Sequence, residues 1–162
     1  MEKTTIAALF LLALAAGLCS ACMYVKTPRQ GIAERMDVAP IAFRGKVKVI
    51  HHSNLEGYRG FYEATFDVEC VYKNASEGPL VIKFFTVSYF GTNGGQCSKA
   101  DVTFNVDYIV LARRYEYRGK VYARVMNVNF QSGAEVATSQ AIEEVEAKYS
   151  CITPPAGLEA RL

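Results

Sequence analysis

Histidine is scarce in this chain, lysine and arginine form no extended block, and beyond the N-terminal stretch no segment is long and apolar enough to cross a bilayer. The formal charge of +2 is dispersed, so the basic footprint expected of a nucleic-acid binder or of a protein drawn to anionic membrane is missing. A bilayer span takes about 20 apolar residues, and the one apolar stretch, residues 6–18, is too short. No Gly-x-Ser-x-Gly, His-Glu-x-x-His or phosphate-cradling glycine loop occurs. The adjacent His51 and His52 read as an exposed pair at the polar end of a strand rather than as base or ligand. Glu143, Glu144 and Glu146 read as a solvated helix face, and Gly94-Gly95-Gln96-Cys97 as a turn leading into a disulfide. The expectation is a protein that is not an enzyme and has no cofactor or metal of its own.

What is present starts with a leader. Glu2 and Lys3 precede the apolar stretch, and Cys19-Ser20-Ala21 supplies small residues at a cut before Cys22, the pattern of a secretory signal peptide. Residues 1–21 are therefore expected to be removed, leaving residues 22–162 as a single secreted, extracellular domain that begins with Cys22. A bacterial lipoprotein leader also cuts just before a cysteine. It prefers leucine where Cys19 stands, and lipid on Cys22 is the one route by which this protein would meet a membrane.

Removal of Cys19 leaves Cys22, Cys70, Cys97 and Cys151. An even number in an exported domain reads as two disulfides with three possible connectivities. No two of the four lie two to four residues apart, as zinc ligands usually do. Asn74-Ala75-Ser76 is a sequon, which in a eukaryotic secreted protein marks Asn74 as a surface glycosylation site.

The body of the chain is β-rich. Tyr62, Ala64, Phe66, Val68, Cys70 and Tyr72 alternate with Glu63, Thr65, Asp67 and Glu69, which predicts a half-buried strand over 62–72 with Cys70 facing the core. Residues 42–50 repeat the pattern with Phe43, Val47 and Val49 inward, and Gly45 on that face suits a bulge or bend. Further strands are predicted over 80–90, 106–117 and 120–130 in meander-like order. A helix is predicted over 138–149, capped by Ser139, with Ile142, Val145 and Tyr149 along one side. Five strands and a C-terminal helix fit a small mainly β protein, a closed OB-type barrel, stabilised by disulfides. Closure removes the exposed edges that invite association. Residues 23–40 should wrap across the barrel before the first strand.

A cysteine directly after the leader is followed by Asp37-Val38-Ala39-Pro40-Ile41-Ala42-Phe43-Arg44-Gly45-Lys46-Val47. Then come Val71-Tyr72-Lys73-Asn74, Gln96-Cys97 and Asp107-Tyr108-Ile109-Val110-Leu111-Ala112. In this order, from Cys22 to about Cys151, the chain resembles the netrin-like domain, whose best-known members are the tissue inhibitors of metalloproteinases. The resemblance implies a disulfide from Cys22 to Cys97. The family's second bridge is absent at both ends, because the third mature residue is Tyr24 and 120–130 contains no cysteine. Its third bridge keeps only the C-terminal half, Cys151, for which Cys70 is the available partner.

The resemblance also implies a function: a metalloproteinase inhibitor whose mature N-terminus chelates the catalytic zinc of an extracellular protease. An α-amine with a pKa near 8 is partly neutral at pH 7, and the Cys22 nitrogen and carbonyl oxygen together would fill the open position of a catalytic zinc. Met23 would enter the specificity pocket, and Tyr24, Val25 and Gln96 would contact the target. The alternative is a netrin-like binding module that captures matrix or signalling proteins without inhibiting anything.

Overall fold

The structure is a computed structural model that describes residues 28–52, 60–74, 76, 79–91 and 99–155. Helix α1 is Ile32–Val38, followed by strands β1 (Ile41–His52), β2 (Phe61–Lys73), β3 (Phe84–Gly91), β4 (Asp107–Tyr117), β5 (Lys120–Val125) and β6 (Ala134–Val136), and by helix α2 (Ser139–Glu146). The sheet runs β1-β2-β3-β5-β4, and β1 pairs with β4 to close it. This is the expected closed five-stranded barrel, but the order is not a meander. β5 inserts between β3 and β4 and lies parallel to β3 over Val87↔Ala123 and Ser88↔Arg124. β6 adds to the outer edge of β4.

The barrel interior is filled by alternate strand residues. Phe43, Phe66 and Phe85 meet edge to face, at 5.3 Å and 5.6 Å between centroids, and Val47, Val68, Val87 and Val110 complete the packing. A second buried layer lies outside the barrel, where Ile32 and Met36 of α1 and Val145 of α2 cover Ala42, Cys70, Ile109 and Leu111. Tyr108 to Ala112 are buried without a break because the odd and even residues of β4 serve these two layers in turn. Each fully buried Ile or Met side chain contributes about 1.5–3 kcal/mol, which is how a helix as short as α1 is held.

Bulges decide which layer a residue joins. Along β1 and β2 the register steps from Gly45↔Val68 to Arg44↔Cys70 and then from Phe43↔Val71 to Ala42↔Lys73, passing over Glu69 and Tyr72. The extra residue reverses the alternation. Val68 and Val71 point into the barrel, while Cys70 and Tyr72 turn out beneath the helices. Cys70 is thus buried as expected, but in the outer layer. A Cβ on Gly45 would lie 2.8 Å from the Asp67 carbonyl oxygen, so this crossing needs glycine. A further shift between Val47 and Val49 turns Val49 outward, 41% exposed, against the expectation that it faces the core.

Other boundaries also differ from the sequence reading. The wrapping segment contains α1. The fifth strand stops at Val125 because Asn129 and Phe130, at φ +48° and +61°, make a reversed turn closed by Val128↔Gln131. The cap of α2 is Thr138, whose hydroxyl accepts the Ala141 N–H at 3.2 Å, rather than Ser139. After α2 the chain returns to β2, where Val71 and Ile152 exchange hydrogen bonds of 2.8 and 3.0 Å. The Cys70–Cys151 disulfide, with Cα atoms 5.3 Å apart, fixes the same place. Among the described residues, no helix is long and apolar enough to cross a membrane.

Candidate functional site

Cys22, Met23, Tyr24 and Val25, and across from them in the expected site Gln96 and Cys97, lie outside the described residues. The structure does describe the stems from which both segments spring. The N-terminal stem ends at Gln30. Its backbone N–H donates to Gln131 Oε1 at 3.1 Å, its carbonyl accepts from Gln131 Nε2 at 3.2 Å, and its side-chain oxygen accepts from Asn129 Nδ2 at 2.5 Å. One glutamine side chain thereby completes a two-way amide pairing that a β-strand would ordinarily provide.

Directly beyond, Arg35 is 2% exposed. It donates to the Ser132 carbonyl at 2.5 Å and pairs with the Glu135 carboxylate, so the buried charge is compensated as burial demands. Arg29, Arg35, Phe130 and Glu135 border an open cleft of about 550 Å³. Phe130 is 60% exposed at its rim.

The second stem is equally defined. Gly91, at φ +99°, donates to the Ala100 carbonyl at 2.7 Å, and a Cβ there would lie 2.3 Å from the Gly60 carbonyl oxygen. Beneath it the Tyr62 hydroxyl accepts the Val102 N–H at 2.8 Å, and the Tyr108 hydroxyl accepts that of Thr103 at 3.1 Å. Burial pushes the Tyr62 phenol up from its ordinary pKa, and Asp101 adds to the rise. Both stems are therefore anchored by tyrosine and glutamine side chains that composition alone did not single out.

The remaining sequence candidates are dispersed. Asn74 is exposed at the end of β2. Its Oδ1 accepts the Val81 N–H at 3.4 Å, which does not engage the amide nitrogen that would bear a glycan. His51 is exposed on β1. Glu143, Glu144 and Glu146 on α2 are exposed, as the solvated-face reading expects, and two of them also have structural partners. Glu144 accepts the Ala33 N–H at 3.0 Å and caps α1, while Glu146 meets Arg44 Nη1 at 3.5 Å and the Tyr72 hydroxyl at 3.4 Å.

The far ends of the two helices meet in one more cluster. Asp37 accepts from Lys148 Nζ at 2.5 Å and from the Tyr149 hydroxyl, and these two hydrogen bonds hold its carboxyl below the usual range. Burial and the adjoining carboxylate push the Tyr149 phenol up to about 12. Among the described residues, no group of three or more His, Cys, Asp or Glu side chains is placed to hold a metal ion. Neither a scan against protein-family profiles nor a search of curated proteins finds a match for the chain.

Proposed function

We propose that this protein is an exported netrin-like inhibitor of a zinc endopeptidase, acting through a mature N-terminus at Cys22. The observation that carries the reading is the Cys70–Cys151 bridge. It occupies two of the four cysteines left after leader removal, so Cys22 and Cys97 are the pair that remains. The resemblance placed Cys151 in a bridge but left its partner missing ahead of the first strand, and Cys70 was the cysteine available in its place. The closed β1-β2-β3-β5-β4 barrel with helices packed outside supports the same reading.

In this mechanism the Cys22 amine, neutral in part at pH 7, and its carbonyl oxygen coordinate the target's zinc, displacing the water that would attack a substrate. A bridge to Cys97 fixes one end of the inhibitory segment, and the Gln30–Gln131 amide pairing fixes the other. Restraint before binding lowers the entropic cost of association.

The test compares the mature protein with a version bearing one alanine before Cys22 against a panel of zinc endopeptidases. Inhibition should vanish in the extended version while its melting temperature is unchanged. Equal inhibition by both, or inhibition by neither, refutes chelation and leaves a barrel that binds through its surface.

A further inference from the structure

We propose that the cleft between the Gln30 stem and the turn at 128–131 binds a small carboxylic acid with an aromatic body. The turn gives the first reason. Val128 and Gln131 exchange backbone hydrogen bonds of 3.1 and 2.8 Å across Asn129 and Phe130, whose φ angles of +48° and +61° are both left-handed. Two-residue turns with both angles positive favour Asn-Gly, because glycine meets no steric cost at the second position. Here phenylalanine stands in its place. The ring is 60% exposed, so packing within the chain does little to offset the strain. Backbone strain that the fold itself does not need is concentrated where a chain meets a ligand.

The cleft supplies the second. Its volume of about 550 Å³ falls within the range of roughly 300–1,000 Å³ found for small-molecule sites. Beside Phe130 its lining includes Val136, 47% exposed. Charge in the lining is unevenly matched. Arg35 is buried and engaged by Glu135 and the Ser132 carbonyl, so that pair adds no net charge. Arg29 is exposed and has no carboxylate partner among the described residues, and it gives the cleft a single positive charge. The walls are set before any ligand arrives. Gln131 holds the Gln30 backbone through both its amide atoms and Asn129 holds the Gln30 side chain, which fixes the chain next to Arg29. Across the turn, Gly133 donates to Asn127 Oδ1 at 2.7 Å and lies too close to the Met126 carbonyl to accept a Cβ. Walls ordered in advance lower the entropic cost of binding.

These features select the ligand. One unpaired guanidinium takes one carboxylate, through two parallel hydrogen bonds. The exposed Phe130 ring offers a stacked or edge-to-face contact to an aromatic body, and Val136 offers it aliphatic surface. A polyanion would find only one unanswered cation here, and an organic cation would be repelled by it. The volume limits the occupant to a small molecule. This proposal does not depend on the inhibitory one.

The test is a titration of the mature protein with 4-phenylbutyrate, followed by calorimetry and by NMR shifts of the backbone amides. Saturable shifts should gather at Gln30 and at residues 129–136. The uncharged 4-phenylbutanamide should bind about tenfold more weakly, for want of a charge-assisted pair. Arg29→Gln should lower affinity for the acid by the same factor and leave that for the amide unchanged. Phe130→Gly should weaken both ligands about tenfold while the melting temperature rises, which separates lost binding from lost fold. Arg113→Gln removes the same charge from β4 and should leave affinity as it was. No saturation below about 10 mM, equal affinity for acid and amide, or unchanged affinity in either the Arg29 or the Phe130 variant overturns the proposal. Displacement of the acid by sulfate at matched ionic strength would indicate an adventitious ion only and overturn it too.

Discussion

Replacing both Cys70 and Cys151 with alanine tests how the C-terminal segment is held. The bridge closes a loop with a sequence separation of 81, and the chain-entropy relation gives about 4.5 kcal/mol for a loop of that length. Cys70 is fully buried, so losing its sulfur adds about 1 kcal/mol of transfer and cavity cost. The expected loss is roughly 5 kcal/mol, against a total of about 5–15 kcal/mol for a typical domain. The Val71–Ile152 hydrogen bonds survive the substitution, but an unlinked segment must then be ordered for them to form. Urea denaturation separates the causes: a lower midpoint reports the loss, and a steeper dependence on urea reports a denatured chain released from its crosslink. A loss below about 2 kcal/mol with an unchanged slope would refute the reasoning and assign the segment's attachment to the sheet pairing.

Gly45→Ala places a methyl group against the backbone at Asp67 and Val68 and should cost about 1–3 kcal/mol; thermal melting at or above the parent's would contradict the close crossing. Phe130→Gly should raise stability by about 1 kcal/mol, because a side chain at φ +61° is strained and this one is mostly exposed; a lower urea midpoint would show that the ring is needed where it sits. Glu144→Ala should remove about 1 kcal/mol by uncapping α1, read as faster amide exchange at Ala33, and unchanged exchange would deny the cap. The lowered Asp37 pKa contributes stability above the unfolded carboxylate value of 3.8 that is lost as pH falls through the folded value. The raised Tyr149 pKa contributes stability that is complete below pH 10 and lost as pH climbs towards about 12. Asp37→Asn should flatten the acid limb and Tyr149→Phe the alkaline one, and melting curves across pH that keep either limb unchanged would reject the corresponding assignment.

The barrel was legible because period-two burial is written into β2 and into the start of β1. What the sequence concealed were the points where the period breaks. Glu69 and Lys48 look like ordinary outward residues, and only the pairing partner reveals that each is an extra residue that reverses the faces beyond it. α1 was hidden by its length, since seven residues offer less than two turns of pattern and the helix depends on Glu144, more than a hundred positions away. The parallel β3–β5 contact is a long-range choice that no local signal encodes. Of the candidate site, the sequence named the tips and missed the stems. Gln30, Gln131 and Tyr62 have no distinguishing motif, and their importance arises from what the fold places beside them.

The contact between β3 and β5 consists of only two residue pairs, while every other junction of the barrel wall is longer. A cylinder fastened so briefly along one side has a preferred line along which to unzip. Opening there would swing the β4–β5 hairpin outward on its long attachment to β1, with its own pairing intact and an edge of backbone donors and acceptors uncovered. Two molecules opened in this way could each complete the other's wall by exchanging hairpins. The same short closure that allows the barrel to be built from a crossed strand order thus also sets the route by which it would form an intertwined dimer at high concentration.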